Sequence, residues 1–127
     1  MARSKTRTQS CDRSDALTRL AQSESFLLAA ELIVAASLAV LAGIAASDAA
    51  CCARLGVRAR GQAHTEAVDL LGTVEPRGAD MAKDLRRLLN RKDDSQYGLA
   101  FVSSAEAGRM VGWAKRLLGH ARRAVEA

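Results

Sequence analysis

His64, His120 and Tyr97 are the two histidines and the single tyrosine of this 127-residue chain, so proton transfer near neutral pH has few candidates. His64 follows Arg58 by six residues and Arg60 by four, at the entry to a helical pattern. An arginine and a histidine on adjoining turns suit phosphodiester chemistry: the cation stabilises developing charge while the imidazole moves the proton of a ribose hydroxyl. The same histidine also fits a capping or packing role at a helix start. His120 lies near the end of a basic helix and suits the negative end of its dipole. Asp48 falls on an apolar helical stripe, where a carboxylate must find a donor or lose its charge. Arg91, Lys92, Gln96 and Tyr97 are the nearest cluster of donors in type, and a contact from Tyr97 or Arg91 to Asp48 is expected. There is no GxGxxG, no phosphate-binding Walker loop, no GxSxG and no CxxC or HxxxH spacing, so no cofactor and no metal is expected.

The elements that must position these residues are helical. Hydrophobic residues make up 49% of the chain and aromatic ones 3%, with one proline and alanine at about a fifth of positions. An all-β fold is excluded by the scarcity of β-branched and aromatic residues and of regularly spaced turns. Net charge is +5, and Arg supplies most of the 19 basic residues. That balance makes nucleic acid a candidate partner, because the guanidinium binds phosphate bidentately, although an arginine- and alanine-rich composition also follows from coding bias alone. Charge is uneven: between Leu20 and Ala53 there is no basic residue and only Glu24, Glu31 and Asp48 are acidic. Three cysteines, two of them adjacent, do not look like a disulfide framework and suit a cytoplasmic protein, with Cys51 and Cys52 read as small core residues. The uncharged run from Leu32 to Ser47 is short and alanine-rich for a membrane span, and is read as a core helix.

Residues 1–13 are expected to form a disordered basic tail and residues 14–127 one helical domain. A first helix should start near Ser14, with Leu20, Leu27 and Val34 a heptad apart, and break near Ala35 to Ser37. A second should bury Leu41, Ile44, Ala45, Cys52 and Leu55 with Asp48 among them, and stop at Gly56. After a basic loop, Val57 to Gln62, a short third helix should bury Ala67, Leu70, Leu71 and Val74. A fourth, Ala79 to Asn90, should bury Met81, Leu85, Leu88 and Leu89. An irregular stretch, Arg91 to Val102, then precedes a last helix opened by a capping box, Ser103-Ser104-Ala105-Glu106. That helix should bury Ala107, Val111, Ala114, Leu117 or Leu118, Ala121 and Val125.

Three stretches carry a family resemblance. They are Ala45-Ala46-Ser47-Asp48-Ala49-Ala50-Cys51-Cys52-Ala53-Arg54-Leu55-Gly56, Arg60-Gly61-Gln62-Ala63-His64-Thr65-Glu66-Ala67, and Arg91-Lys92-Asp93-Asp94-Ser95-Gln96-Tyr97-Gly98. Together they resemble the helical HEPN (higher eukaryotes and prokaryotes nucleotide-binding) domain of small actinobacterial proteins, over about residues 14 to 125. The resemblance implies an all-α, four- to five-helix up-and-down bundle that often dimerises. Catalytic members are metal-independent ribonucleases, frequently the toxin of a toxin-antitoxin pair, with an arginine followed after a few residues by a histidine. Here the matching stretch begins at Arg91 and holds Gln96, then Tyr97, where the histidine belongs. The expected function is therefore a basic cleft that binds RNA, a nucleotide or a partner protein with little or no catalysis. The alternatives are a ribonuclease toxin and a structural dimerisation module. Arg91, Gln96, Tyr97, Asp48 and His64 are the candidate catalytic set, and Arg58, Arg60, Arg87, Arg91 and Lys92 the candidate nucleic-acid contacts. Expected partners are a second copy, RNA or a nucleotide, and a cognate antitoxin or nucleotidyltransferase, with no membrane.

Overall fold

The computed structural model describes residues 7–60, 64–96 and 102–126, and among them every regular element is an α-helix. Helix α1 spans Arg13–Leu55, α2 His64–Gly72, α3 Gly78–Gln96 and α4 Ser104–Glu126. Asp12 caps α1 reciprocally: its side chain accepts from the Asp15 amide at 2.9 Å, and the Asp15 side chain accepts from the Asp12 amide at 3.0 Å. At the other end Gly56, with φ 72°, takes the left-handed conformation that lets its amide reach the Cys52 carbonyl. The expected stop at Gly56 is where α1 ends.

The expected break at Ala35 to Ser37 does not occur. Helix α1 runs unbroken for 43 residues, about 64 Å at 1.5 Å per residue. Leu20, Leu27, Val34, Leu41, Asp48 and Leu55 are each seven apart and stay in line on one rod. No glycine or proline interrupts Ala35 to Ser37, and alanine favours the helix. Helix α3 also continues past the expected end at Asn90, to Gln96, so the first part of the stretch read as irregular is helical.

Three long helices alternate in direction. Arg54 near the end of α1 donates to the Glu75 carbonyl just before α3, at 3.1 Å, while Gly43 packs beside Leu88 midway along α3. Asp84 meets Arg116, and Arg91 meets Glu106, so α4 runs back along α3 and parallel to α1. The core takes its bulk from Leu71, Val74, Met81, Leu85, Leu88 and Leu117. From α1 it takes Ala36, Ala39, Val40, Gly43, Ala46, Ala50 and Cys51.

That face of α1 is the reverse of the expected one. Leu41 is 59% exposed, Cys52 and Leu55 are exposed too, and Ile44 is only half-buried. Small residues go inward because leucines from α3 and α4 already fill the space, and the axes approach closely only where α1 offers little side chain. A Cβ on Gly43 would lie 2.5 Å from Leu88 Cδ1. In α4 the observed stripe is Ala107, Met110, Ala114, Leu117, Ala121 and Ala124; Val111 is half-buried, and Leu118 and Val125 are exposed. In α3 all four expected residues, Met81, Leu85, Leu88 and Leu89, are buried. In α2, Leu71 is buried as expected, together with Val68, and Val74 is buried just beyond it, whereas Ala67 and Leu70 are half-buried.

The helix contact at Gly43 has a measurable consequence. Gly43→Leu should lower stability by about 1–3 kcal/mol through overpacking against buried Leu88. Gly43→Ala should be near neutral, since about 1 kcal/mol of helix propensity offsets the crowding. Urea midpoints of the two variants check this.

Candidate functional site

The residues singled out in the sequence do not converge on one site. Asp48 is half-buried, not sunk in the core, and its nearest cation is Arg58, with Nη1 3.9 Å from Oδ2. Arg91 instead pairs with Glu106, at 3.6 Å. Arg91 therefore does not serve Asp48, and that half of the expected contact is replaced by Asp48 with Arg58. Tyr97 lies outside the described residues, as do the side chains of Lys92 and Gln96, although Gln96 closes α3. Arg60 is exposed. The capping box of α4 is half formed: the Glu106 amide donates to Ser103 Oγ at 3.1 Å, and the Glu106 carboxylate serves Arg91.

Helix α3 instead separates two clefts. On its α2 side a 180 Å³ cleft is lined by His64, Thr65, Asp69, Arg86 and Asn90 over a floor of Val68 and Leu89. His64 thus shares a cleft with Arg86, not with Arg58 or Arg60. On the α4 side a wider cleft of 390 Å³ is lined by Arg77, Asp80, Lys83, Asp84, Arg87, Arg116 and His120.

The wider cleft is organised by Asp84, which is only 3% exposed. Met81, Asp84, Leu85 and Leu88 share one stripe of α3 at helical spacing, so the carboxylate is carried inward with its apolar neighbours. Arg116 grips it in fork geometry, Nε to Oδ2 at 3.1 Å and Nη2 to Oδ1 at 2.9 Å. Arg87 Nη1 lies 3.7 Å from the same carboxylate, and its guanidinium sits 5.7 Å from the centroid of the Trp113 ring. The hydrogen bond to Asp84, and then its charge, raise the Arg116 guanidinium above its ordinary pKa, so Arg116 is a fixed cation. Arg77 adopts φ 71°, a backbone conformation unusual outside glycine, and pairs with Asp80 at 3.2 Å. Arg123 Nη2 lies 2.9 Å from His120 Nδ1; since a guanidinium only donates, Nδ1 accepts and the histidine proton sits on Nε2.

Four cations thus surround two carboxylates, and much of each guanidinium stays open: the Arg116 side chain is 56% exposed and that of Arg87 40%. Such a cleft can hold an anion with several charge-assisted hydrogen bonds. Arg87 was among the expected contacts, but Asp84, Arg116 and Arg77 were not. Asp84 carried the same signal that drew attention to Asp48, a carboxylate on an apolar stripe. Elsewhere, burial pushes the Cys51 thiol up, against a smaller opposing effect of its hydrogen bond to Ser47, so it is a packing residue and not a nucleophile. No group of three or more His, Cys, Asp or Glu side chains suited to a metal occurs among the described residues.

Asp84→Ala should lower stability, because Arg116 and Arg87 lose the carboxylate they share and stand as neighbouring like charges with only solvent between them. Urea denaturation of the variant measures this, and an unchanged midpoint would count against Asp84 as the organiser. No protein-family model, no curated protein and no solved structure matches the chain.

Proposed function

We propose that this chain is a HEPN-like cytoplasmic domain that binds RNA by its phosphates in the cleft between α3 and α4, with little or no catalysis. The observation that carries this reading is the set of cations held around buried Asp84. Asp84 draws Arg116 and Arg87 together and fixes their orientation without filling their donors. Lys83 and Arg77 extend the positive lining, and the Trp113 ring under the Arg87 guanidinium helps to hold it. A phosphate backbone presents anions in series, and a row of fixed cations matches them. The excess of arginine over lysine fits bidentate phosphate contacts better than a diffuse charged surface.

A second reading, a metal-independent ribonuclease, rests on the narrower cleft. There His64 stands with Arg86 and Asn90, an imidazole and a guanidinium bordering one space. In such a reaction the imidazole accepts the ribose 2′-hydroxyl proton as the oxygen attacks phosphorus. The arginine stabilises the charge gathering on the phosphoryl oxygens, and the bond from phosphorus to the 5′-oxygen breaks as that oxygen takes a proton from water, leaving a 2′,3′-cyclic phosphate. Under either reading, a cognate antitoxin or nucleotidyltransferase is a proposed partner.

Fluorescence anisotropy of a labelled single-stranded RNA, titrated at about 50 and 200 mM salt, tests the binding. Lys83→Ala and Arg87→Ala should each weaken binding and reduce the slope of log affinity against log salt by about 0.7. Binding that ignores both substitutions, or the salt, would remove the α3–α4 cleft from the proposal. The same RNA incubated in a chelator separates the readings: intact RNA supports binding alone, and cleavage abolished by His64→Ala supports the nuclease.

A further inference from the structure

Most of the large apolar side chains that α1 leaves outside the bundle lie along one seam, with exposed Leu28 beside it. Leu17, Leu20, Leu27, Val34, Leu38 and Leu41 are each 55–63% exposed. With Glu24 and Glu31 between them they recur in alternating steps of three and four residues, the 3.5-residue repeat of a coiled-coil seam. No described side chain between Arg13 and Glu31 is buried, so this part of α1 is an arm that leaves the bundle. An isolated helix of that length is marginal in water and draws its stability from a packed face. Beside the second half of the same seam lies an apolar groove of 340 Å³ between α1 and α4, walled by Leu38, Ala42, Val111 and Leu118 with Lys115 at its edge.

We propose that a second copy of this chain lays its α1 arm antiparallel along this seam and groove, and receives the first copy's arm in return. The spacing is self-complementary. Read forward from Leu17 the seam steps by three, four, three and four, and read backward from Leu41 it steps identically. Leu17 therefore meets Leu41 of the second copy, Leu20 meets Leu38, Glu24 meets Val34, and Leu27 meets Glu31, about a two-fold axis at residue 29. One patch serves both copies, and the pair closes on itself. Every exposed leucine and valine of the seam is covered in this register, together with the groove beside Leu118.

Charge sets the direction. Helices α1 and α4 run parallel, and Gly43 lies at the level of Leu117. In this register the second copy's Asp15 comes level with Gly43 and its Asp12 level with Ala46, which is the level of Lys115 and Arg122, exposed along α4. A parallel pair would set Glu24 on Glu24 and Glu31 on Glu31, and would leave both grooves empty. A bilayer is the competing occupant, since Glu31–Leu55 is long and apolar enough to cross one, with mean hydropathy 2.0. Against it, the inner face of that segment is packed in the bundle, and Asp48 interrupts its length.

The test uses the full chain with exposed Cys11 and Cys52 changed to serine. Sedimentation equilibrium should give a dimer at micromolar concentration, and Leu20→Glu or Leu38→Glu should raise the dissociation constant about a hundredfold or more. Oxidation of a mixture of Leu17→Cys and Leu41→Cys chains should trap a disulfide-linked pair, whereas Leu17→Cys alone should not. A monomer at tens of micromolar, a pair trapped by Leu17→Cys alone, or a monomer that floats with phosphatidylcholine–phosphatidylglycerol vesicles would each overturn the proposal.

Discussion

Close approach between α1 and the helices beside it constrains the rest of the molecule. Leu88, Leu117 and their neighbours occupy the volume next to α1, so α1 can present little more than alanine, glycine and serine to them. Bulk on α1 is forced to the opposite side, and its leucines end in solvent. In a bundle whose helices stood further apart, the same residues would turn the other way and fill the core. One steric choice at Gly43 thus decides both how tightly the helices pack and what the outside of α1 looks like.

Helix α3 translates that packing into chemistry. Its inner stripe fixes the helix against α1 and α4, and Asp84 rides in with that stripe to a position where only a guanidinium fork can satisfy it. Its flanks, facing α2 and α4, then differ in kind. One has a histidine over an apolar floor, and the other has a ring of cations about a buried anion. An aspartate inside a positive cleft looks counterproductive for anion binding, yet without it the arginines would repel one another and point apart. Their orientation comes from the carboxylate they share.

Much of this was legible in the chain. Met81, Leu85, Leu88 and Leu89 are large residues at helical spacing in a polar background, and their burial follows directly. Gly56 and Ser103 mark ends whose physics is local. Helix α1 was less legible because it is apolar nearly all round, so its periodicity does not say which face is inside. Alanine on one side and leucine on the other give the wrong answer if size is read as burial. The site was harder still. Asp48 and Arg58 do meet, but His64 and Arg91 are set on other helices, and nothing local reveals that Arg116 will reach Asp84 across 32 residues.

The disparity in helix length has a hydrodynamic consequence. At 1.5 Å per residue α1 is nearly twice as long as α4, with 43 residues against 23, and the excess lies beyond the bundle. A single chain therefore drags through solvent like a rod with a weighted end, with a frictional ratio above that of a sphere of its 13.5 kDa mass. It will emerge from a sizing column ahead of compact proteins of equal mass, and rotational relaxation will differ along and across the rod.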